Sequence, residues 1–397
     1  MLTYGVPWPP RAGSQIRDFQ LLQGLAGRAD VFLCCFAKDE TAIPELSELK
    51  KLCREVYVYQ PRRCSLWRRA AALAATWKLG IPWTTWAFFD PDLAAELRSI
   101  ARREAIGIFQ IEHSILAGYI CAAPEGCRTI LSFHNVGSVQ YARMARLKLS
   151  LWRRAGFWAK AWLMRRCEAQ YAGRFDRCIA VSSPDADLLR QANPRLSVSV
   201  VPNGVDCRRL QPLPDPSSGN DLLFTGVLGY PPNVDAVRFF CRDVLPRIRR
   251  EVPEARLLIV GQSPAAEIRR LAASEGVALY PDVADVIPYY QRARLAVVPL
   301  RAGSGTRLKI LEAMALGRPV VSTRIGCEGI GATHGRDILI ADAPEDFAAG
   351  VVSLLRDPAS RAALAACARE TVERAYDWPA LAGRRLEIYE SLSGPPG

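Results

Sequence analysis

The chain is short of the residues that build metal centres and disulfide frameworks. It has three histidines in 397 residues, and its twelve cysteines show no Cys-x-x-Cys spacing. Zinc-type sites draw on clustered Cys and His, so no metal site is expected. Several cysteines, such as Cys34 and Cys178, lie inside apolar runs, which reads as buried free thiols in a reducing compartment. No apolar run approaches ~20 residues without charge, which argues against a membrane-spanning helix. The start, Met1-Leu-Thr-Tyr-Gly-Val-Pro-Trp, lacks the pattern of a secretion signal and reads as a first strand and turn. Together these absences point to a cytoplasmic protein.

Half of the residues are apolar, and the length suffices for two domains with full cores. Charge is unevenly spread. Residues 1–200 hold 28 Lys and Arg against 17 Asp and Glu, whereas the remainder holds 24 against 23. Such asymmetry suits a polyanionic surface partner for the first half.

Short runs rich in Val, Ile and Leu alternate with longer helical patterns. The runs are 2–6, 31–36, 55–59, 106–111, 129–133 and 178–181, then, counted with the second half, 198–201, 221–225, 256–260, 277–280, 295–299, 319–322 and 338–340. Most lack period-two alternation, as expected of parallel strands covered on both faces. The pattern predicts an α/β protein with two doubly wound, Rossmann-like domains. The join falls near Val201-Pro-Asn-Gly-Val-Asp206, followed by a polar, proline-rich stretch to Asn220. The expected domains are therefore 1–200 and 201–376.

The most informative segment is Gly303-Ser-Gly-Thr-Arg-Leu-Lys-Ile-Leu-Glu312. A glycine-rich loop opens into a helix that begins with Arg307 and Lys309 and carries Glu312 on its second turn. Helix N-termini attract anions, and glycines let a phosphate approach the backbone. A carboxylate is a poor phosphate ligand but accepts hydrogen bonds from a sugar diol. Phosphate plus diol predicts a nucleotide, against the plainer reading of a tight turn with surface cations. His134, at the end of the 129–133 run, is placed where ligands bind in such sheets and suits proton relay. His113 has a similar address, and His334 reads as an exposed loop residue. Gly13, in Pro10-Arg-Ala-Gly13-Ser14, either lets backbone reach a phosphate or merely precedes Ser14 as a helix N-cap. Asp185-Ala-Asp187 reads as acidic residues in a first helical turn rather than as a metal motif.

Residues 143–166 hold eight Lys or Arg, no acid and no proline, which predicts one basic helix. Leu147, Leu151, Trp158 and Trp162 recur at helical spacing on one face. That is the pattern of a helix lying on an anionic membrane; a core-facing helix with a cationic back is the competing reading. Arg62, Arg63, Trp67, Arg68 and Arg69 form a second basic patch that favours the membrane. Nucleic acid is not expected, because the aromatic residues read as buried faces rather than stacking platforms.

These residues resemble the retaining glycosyltransferases of GT-B fold, family 4, the glycosyl transferases group 1. The matching runs are Ile179–Ser182, Val201–Asp206, Phe224-Thr-Gly226, Tyr230-Pro-Pro-Asn-Val-Asp-Ala236, Leu258–Gly261, Val283–Asp285 and Pro299–Ala315. In the first half the match is looser, through Pro9-Pro10…Gly13…Arg17 and Phe133-His134-Asn135. Exopolysaccharide-associated members are the subgroup it is most similar to. The resemblance implies two Rossmann-like domains facing across a cleft, with a final helix, 377–397, crossing back to the first. It implies a nucleoside-diphosphate sugar as donor substrate, no cofactor and no metal. Glu312 would hold the ribose, and Gly305, Thr306 and Arg307 would meet the diphosphate. Val283 would face the base, Gly226 would end the strand beneath the donor, and Gly13 with Arg17 would lie beside the phosphates. His134 would act near the sugar and acceptor, so His134 and Glu312 are the expected catalytic residues.

Two departures stand out. The first Glu of the family's E-x7-E pattern is Ser304 here, and the usual Arg…Lys pair after Gly226 is absent. Arg307 and Lys309, with Arg301 nearby, are the cations expected to replace it. The expected activity is metal-independent, hexosyltransferase-type transfer to a lipid-linked or saccharide acceptor, in bacterial exopolysaccharide, lipopolysaccharide or glycolipid assembly, at the inner face of the cytoplasmic membrane. The alternatives are a nucleotide-sugar 2-epimerase, whose carboxylates and histidines have no evident counterpart in the sequence, and a non-catalytic nucleotide-sugar binder. A dehydrogenase is set aside because no complete Gly-x-Gly-x-x-Gly follows the first strand.

Overall fold

The structure is a computed structural model that describes residues 1–10, 12–37, 46–60, 88–147 and 150–393. The basic patch at 62–69 lies outside the described residues. Two parallel sheets organise the chain. The first contains β1 (Leu2–Thr3), β2 (Phe32–Phe36), β3 (Glu55–Tyr59), β4 (Ile108–Glu112), β5 (Arg128–Phe133), β6 (Arg177–Ala180) and β7 (Val198–Val200), in the spatial order β3-β2-β1-β4-β5-β6-β7. The second contains β8 (Asp221–Thr225), β9 (Arg256–Gly261), β10 (Val277–Pro281), β11 (Ala293–Val298), β12 (Val320–Ser322) and β13 (Leu339–Ile340), in the order β10-β9-β8-β11-β12-β13. Every apolar run named from the sequence forms a strand. Val198–Val200, counted there with the second half, instead pairs with β6 as the last strand of the first sheet.

Alternate residues of β2 explain why the strands read as unalternated. Leu33 and Cys35 enter one apolar cluster, and Cys34 and Phe36 enter another on the opposite face. Both faces are covered, so both sets of side chains are apolar. In each sheet the chain winds outward from its first strand, then returns to that strand's other side. The switch points lie between β1 and β4 and between β8 and β11. Carboxyl ends of strands at such a switch form the crevice in which doubly wound sheets bind ligands.

Contacts divide the chain into two units. The first comprises residues 1–139, 158–202 and 381–397; the second comprises 140–157 and 203–380. These units differ from the expected 1–200 and 201–376 in grouping 140–157 with the second unit and 381–397 with the first. The expected single basic helix is two helices, Gly137–Ala145 and Leu151–Gln170. Met144, Ala145 and Leu147 are buried, and the Ser150 carbonyl opens the next helix by accepting from Arg154 N–H. No helix among the described residues is long and apolar enough to cross a membrane.

Candidate functional site

In the second unit, β8 ends at Thr225-Gly226 and β11 runs into the loop 299–307. Gly226 has φ +151° and Gly303 has φ +128°, a region that side chains beyond hydrogen disfavour. A Cβ on Gly226 would sit 2.8 Å from Lys309 Nζ and 3.0 Å from Asn233 Nδ2. Gly226 thus leaves room for two polar side chains at the strand's end. The loop feeds the helix Leu308–Ala315, whose N-cap is Arg307. Lys309 and Glu312, three residues apart, share one helix face.

Lys309 Nζ donates to Asn233 Oδ1 at 3.2 Å and stands 4.1 Å from the centroid of the Phe224 ring. Burial, then the neighbouring Arg307, bring its pKa down to about 7, against the pull of Glu312. Burial raises the Glu312 carboxyl, opposed by Lys309 and Arg209. Arg307 folds back to donate to the Ser304 and Gly305 carbonyls. Ser304 and Thr306 are buried in the loop, and Asn203 Nδ2 reaches the Thr306 carbonyl at 3.4 Å. Val283 lies just past β10, partly buried against the core.

Arg301 has a different setting from the one expected. Its Nε and Nη2 donate to the two oxygens of Asp235 at 2.9 and 2.8 Å, and it stacks over Phe239. A buried carboxylate therefore offsets its charge, whereas the hydrogen bond of Lys309 at the end of β8 goes to the neutral Asn233. The motif Tyr230–Ala236, matched in sequence without a role, supplies both Asn233 and Asp235. Arg143 is a further residue the sequence did not single out for this loop: it forks onto Glu328 and donates to the Gly303 carbonyl at 2.8 Å.

In the first unit, the ends of β4 and β5 bring together Glu112, His113 and His134. Glu112 Oε2 lies 3.1 Å from His134 Nε2, and Asp18 Oδ1 lies 3.6 Å from the same nitrogen. The His113 ring stacks on His134 with centroids 3.8 Å apart. His113 holds φ +89°, an unusual backbone for a side chain of this size. Arg385, from the helix Trp378–Ser393, donates to Glu112 Oε1 at 2.6 Å. Burial lowers both histidines, most of all His113. Glu112 is buried too, yet Arg385, His134 and Arg17 outweigh that cost and hold it well below the usual carboxylate range. Burial, then the neighbouring Glu112, raise Asp18 well above the usual carboxylate range. Asp18, Glu112 and His134 could offer atoms to a cation, but Arg385 already pairs with Glu112.

Of the remaining expected residues, Arg17 stands close enough to act on Glu112 and His134. Gly13 is the first residue of the helix Gly13–Leu25, and Ala12, not Ser14, is its N-cap. The Gln15 side chain accepts from Ala12 N–H at 3.1 Å, so no hydroxyl cap is required. Arg17 is buried, with its pKa lowered by burial to about 10, and donates to the Pro202 carbonyl at 3.0 Å. Asp185 accepts from Ser182 Oγ at the start of its helix, and Asp187 pairs with Arg190. His334 is exposed and accepts from Ile340 N–H.

The helix Leu151–Gln170 turns Ala161, Met164, Cys167 and Glu168 inward. Its aromatic residues point the other way: Trp152 is 89% exposed, Trp162 58% and Trp158 45%, with Leu151 beside them at 75%. Arg166 stacks over Trp162. The core-facing reading of this segment is therefore overturned. So is the ground on which nucleic acid was set aside, since these rings are exposed.

A family model described as glycosyl transferases group 1 matches residues 219–357, and one described as glycosyltransferase family 4 matches residues 19–209. The phosphatidyl-myo-inositol mannosyltransferase of Mycolicibacterium smegmatis is 30% identical over 208 residues, covering 49% of this chain and 52% of that protein. The chain spans about half the length of the curated relatives it matches. Sucrose-phosphate synthase from Thermosynechococcus elongatus superposes with a TM-score of 0.73 over 98% of both chains at 18% identity. HepE of Anabaena, solved in complex with UDP-glucose, superposes with a TM-score of 0.67 over 98% of both chains at 15% identity. At these identities the likeness shows the fold, and it is the GT-B fold. With one family model on each half and that fold throughout, the chain belongs to the glycosyltransferases of group 1 and family 4.

Proposed function

We propose that the protein moves a hexose-type sugar from a nucleoside-diphosphate donor to an acceptor hydroxyl, with retention at the anomeric carbon. The observation that carries this reading is the meeting of Lys309, Arg307 and Glu312 around the glycine loop at the β8/β11 switch point. Lys309 and the loop N–H groups face the diphosphate, whose charge grows as the anomeric C–O bond breaks. Fixed dipoles and cations aimed at that charge lower the barrier most. Glu312 accepts from the ribose hydroxyls, and the backbone at Val283 meets the base. Gly13 and Arg17 belong to the phosphate end of the same reaction. Ser304 offers a hydroxyl in place of a carboxylate, so the sugar is held there by weaker, neutral hydrogen bonds. His134 contacts the reacting sugar. The acceptor oxygen bonds to the anomeric carbon on the face the diphosphate leaves, and its proton passes to the departing phosphate oxygen.

The HepE complex with UDP-glucose supports a uridine donor, and the mannosyltransferase relative supports a lipid acceptor. The exposed Leu151, Trp158 and Trp162, flanked by Arg154, Arg165 and Arg166, suit an anionic bilayer at which such an acceptor is presented. That setting fits polysaccharide or glycolipid assembly on the inner face of the cytoplasmic membrane.

A thermal-shift screen over UDP-, GDP-, ADP- and dTDP-sugars, followed by a transfer assay with NMR of the product linkage, tests the reading. One nucleotide series is expected to stabilise the protein, and the product to keep the donor's anomeric configuration. Stabilisation by none of them, or conversion of the donor to its 2-epimer without transfer, overturns it.

A further inference from the structure

The Glu112 carboxylate is 0% exposed, and its two oxygens have separate tasks. Oε1 accepts from Arg385 Nη2 at 2.6 Å, from Ser132 Oγ at 3.1 Å and from Gln110 Nε2. Those donors fix the carboxylate plane and leave Oε2 directed at His134 Nε2, 3.1 Å away. An ionised carboxylate can only accept. The imidazole must therefore carry its proton on Nε2, which puts its lone pair on Nδ1. Arg385 is itself 1% exposed. It is held by Tyr389, whose hydroxyl accepts from Arg385 Nε at 2.8 Å and donates to Gln110 Oε1. The last helix thus closes the network around β4 and β5.

We propose that Arg385 and Glu112 are positioning residues that lock the tautomer and orientation of His134. The chain's last helix supplies the cation on which this lock depends. The groups facing the imidazole are Arg17 and Asp18 from the helix Gly13–Leu25, Glu112 and His113 from β4 and its end, and Arg385 with Tyr389 from the last helix. Arg385 donates to Glu112 Oε1 at 2.6 Å, and Glu112 Oε2 lies 3.1 Å from His134 Nε2, nearer than Asp18 Oδ1 at 3.6 Å. The pair acts through His134, so the proposal rests on the sugar-transfer reading only for its kinetic consequence; the tautomer itself does not depend on that reading.

The test begins with the unmodified protein. Long-range 15N–1H correlation on labelled histidine is expected to show His134 as a single Nε2–H tautomer between pH 6 and 8. An Nδ1–H tautomer, or a titrating imidazolium in that range, overturns the proposal. The double variant Glu112→Gln, Arg385→Met removes both charges of the pair together, so neither is left without the other. It is expected to show mixed tautomers, with donor KM within about twofold of the wild type and kcat down on the order of 100-fold, the scale set by small misplacements of reacting groups. A folded double variant with unchanged kcat overturns the proposal when His134→Ala is inactive. If His134→Ala is fully active, the kinetic role of His134 falls, and the tautomer measurement still decides the positioning.

Discussion

Lys309 Nζ lies 4.1 Å from the centre of the Phe224 ring, with no carboxylate as its direct partner. An ammonium so placed gains from the ring quadrupole but loses water. The outcome is a lysine with a pKa of about 7 at the end of β8. A bound diphosphate would restore its charge.

Donor binding is therefore expected to take up a proton. At pH 8 the free protein holds Lys309 mostly neutral, and a nearby diphosphate raises its pKa. Calorimetry of UDP binding in two buffers of different ionisation enthalpy should report uptake of a proton that vanishes in Lys309→Met, and affinity should fall as pH rises from 7 to 9. Buffer-independent heats at pH 8 would count against this.

The same residue should cost stability in the free protein. Its folded pKa lies below its unfolded value, so the unfolded chain binds the proton first, and stability declines as pH falls from about 10.4 toward 7. Lys309→Met is expected to raise the melting temperature of the unliganded protein at pH 7 while weakening UDP binding by about tenfold or more, the scale of a charge-assisted hydrogen bond. A melting temperature that falls together with affinity contradicts the assignment.

Arg301 and Lys309 should separate cleanly. Arg301→Ala strands Asp235, which then keeps only the 3.5 Å approach of Arg238, so its main effect should be a loss of roughly 1–3 kcal/mol in urea denaturation. Its effect on UDP affinity should be smaller than that of Lys309→Met. The reverse order would return Arg301 to the phosphates.

Two glycines at the ends of β8 and β9 should differ in tolerance. A Cβ on Gly261 would meet the Gly226 carbonyl oxygen at 1.8 Å, whereas one on Gly226 meets the mobile end of Lys309. Gly226→Ala is expected to cost about 1–3 kcal/mol for its backbone conformation, and Gly261→Ala more, because backbone must move. Equal stabilities of the two variants would contradict the close approach of these strand ends.

Trp158→Ser with Trp162→Ser should leave the melting temperature unchanged, since both rings are exposed. Sedimentation with phosphatidylglycerol vesicles at physiological salt should fall by about tenfold or more. Unchanged sedimentation, or binding of a single-stranded oligonucleotide instead, rejects the bilayer.

The architecture was legible because it is written locally. Unalternated Val, Ile and Leu runs between helical patterns specify parallel strands covered on both faces, and the segment 303–312 announces its loop and helix through glycine and period alone. The division into helices Gly137–Ala145 and Leu151–Gln170 was not legible, since no proline marks it. Nor was the direction of the Trp face: helical periodicity tells which residues share a side, not whether that side meets the core or water. Asn233 and Asp235 stood in a matched motif, but only contact with Lys309 and Arg301 distinguishes their tasks.

The sequence by itself determined two doubly wound sheets, the places where their strands end, and the glycine loop with its cations and Glu312. Tertiary structure decided which charges remain available there. Arg301 is matched by Asp235, Lys309 hydrogen-bonds to the neutral Asn233, and Arg385 reaches Glu112 across 273 residues of chain. Burial sets the protonation of Asp18, His134 and Lys309, and burial depends on packing partners distant in sequence, for which local spacing carries no signal.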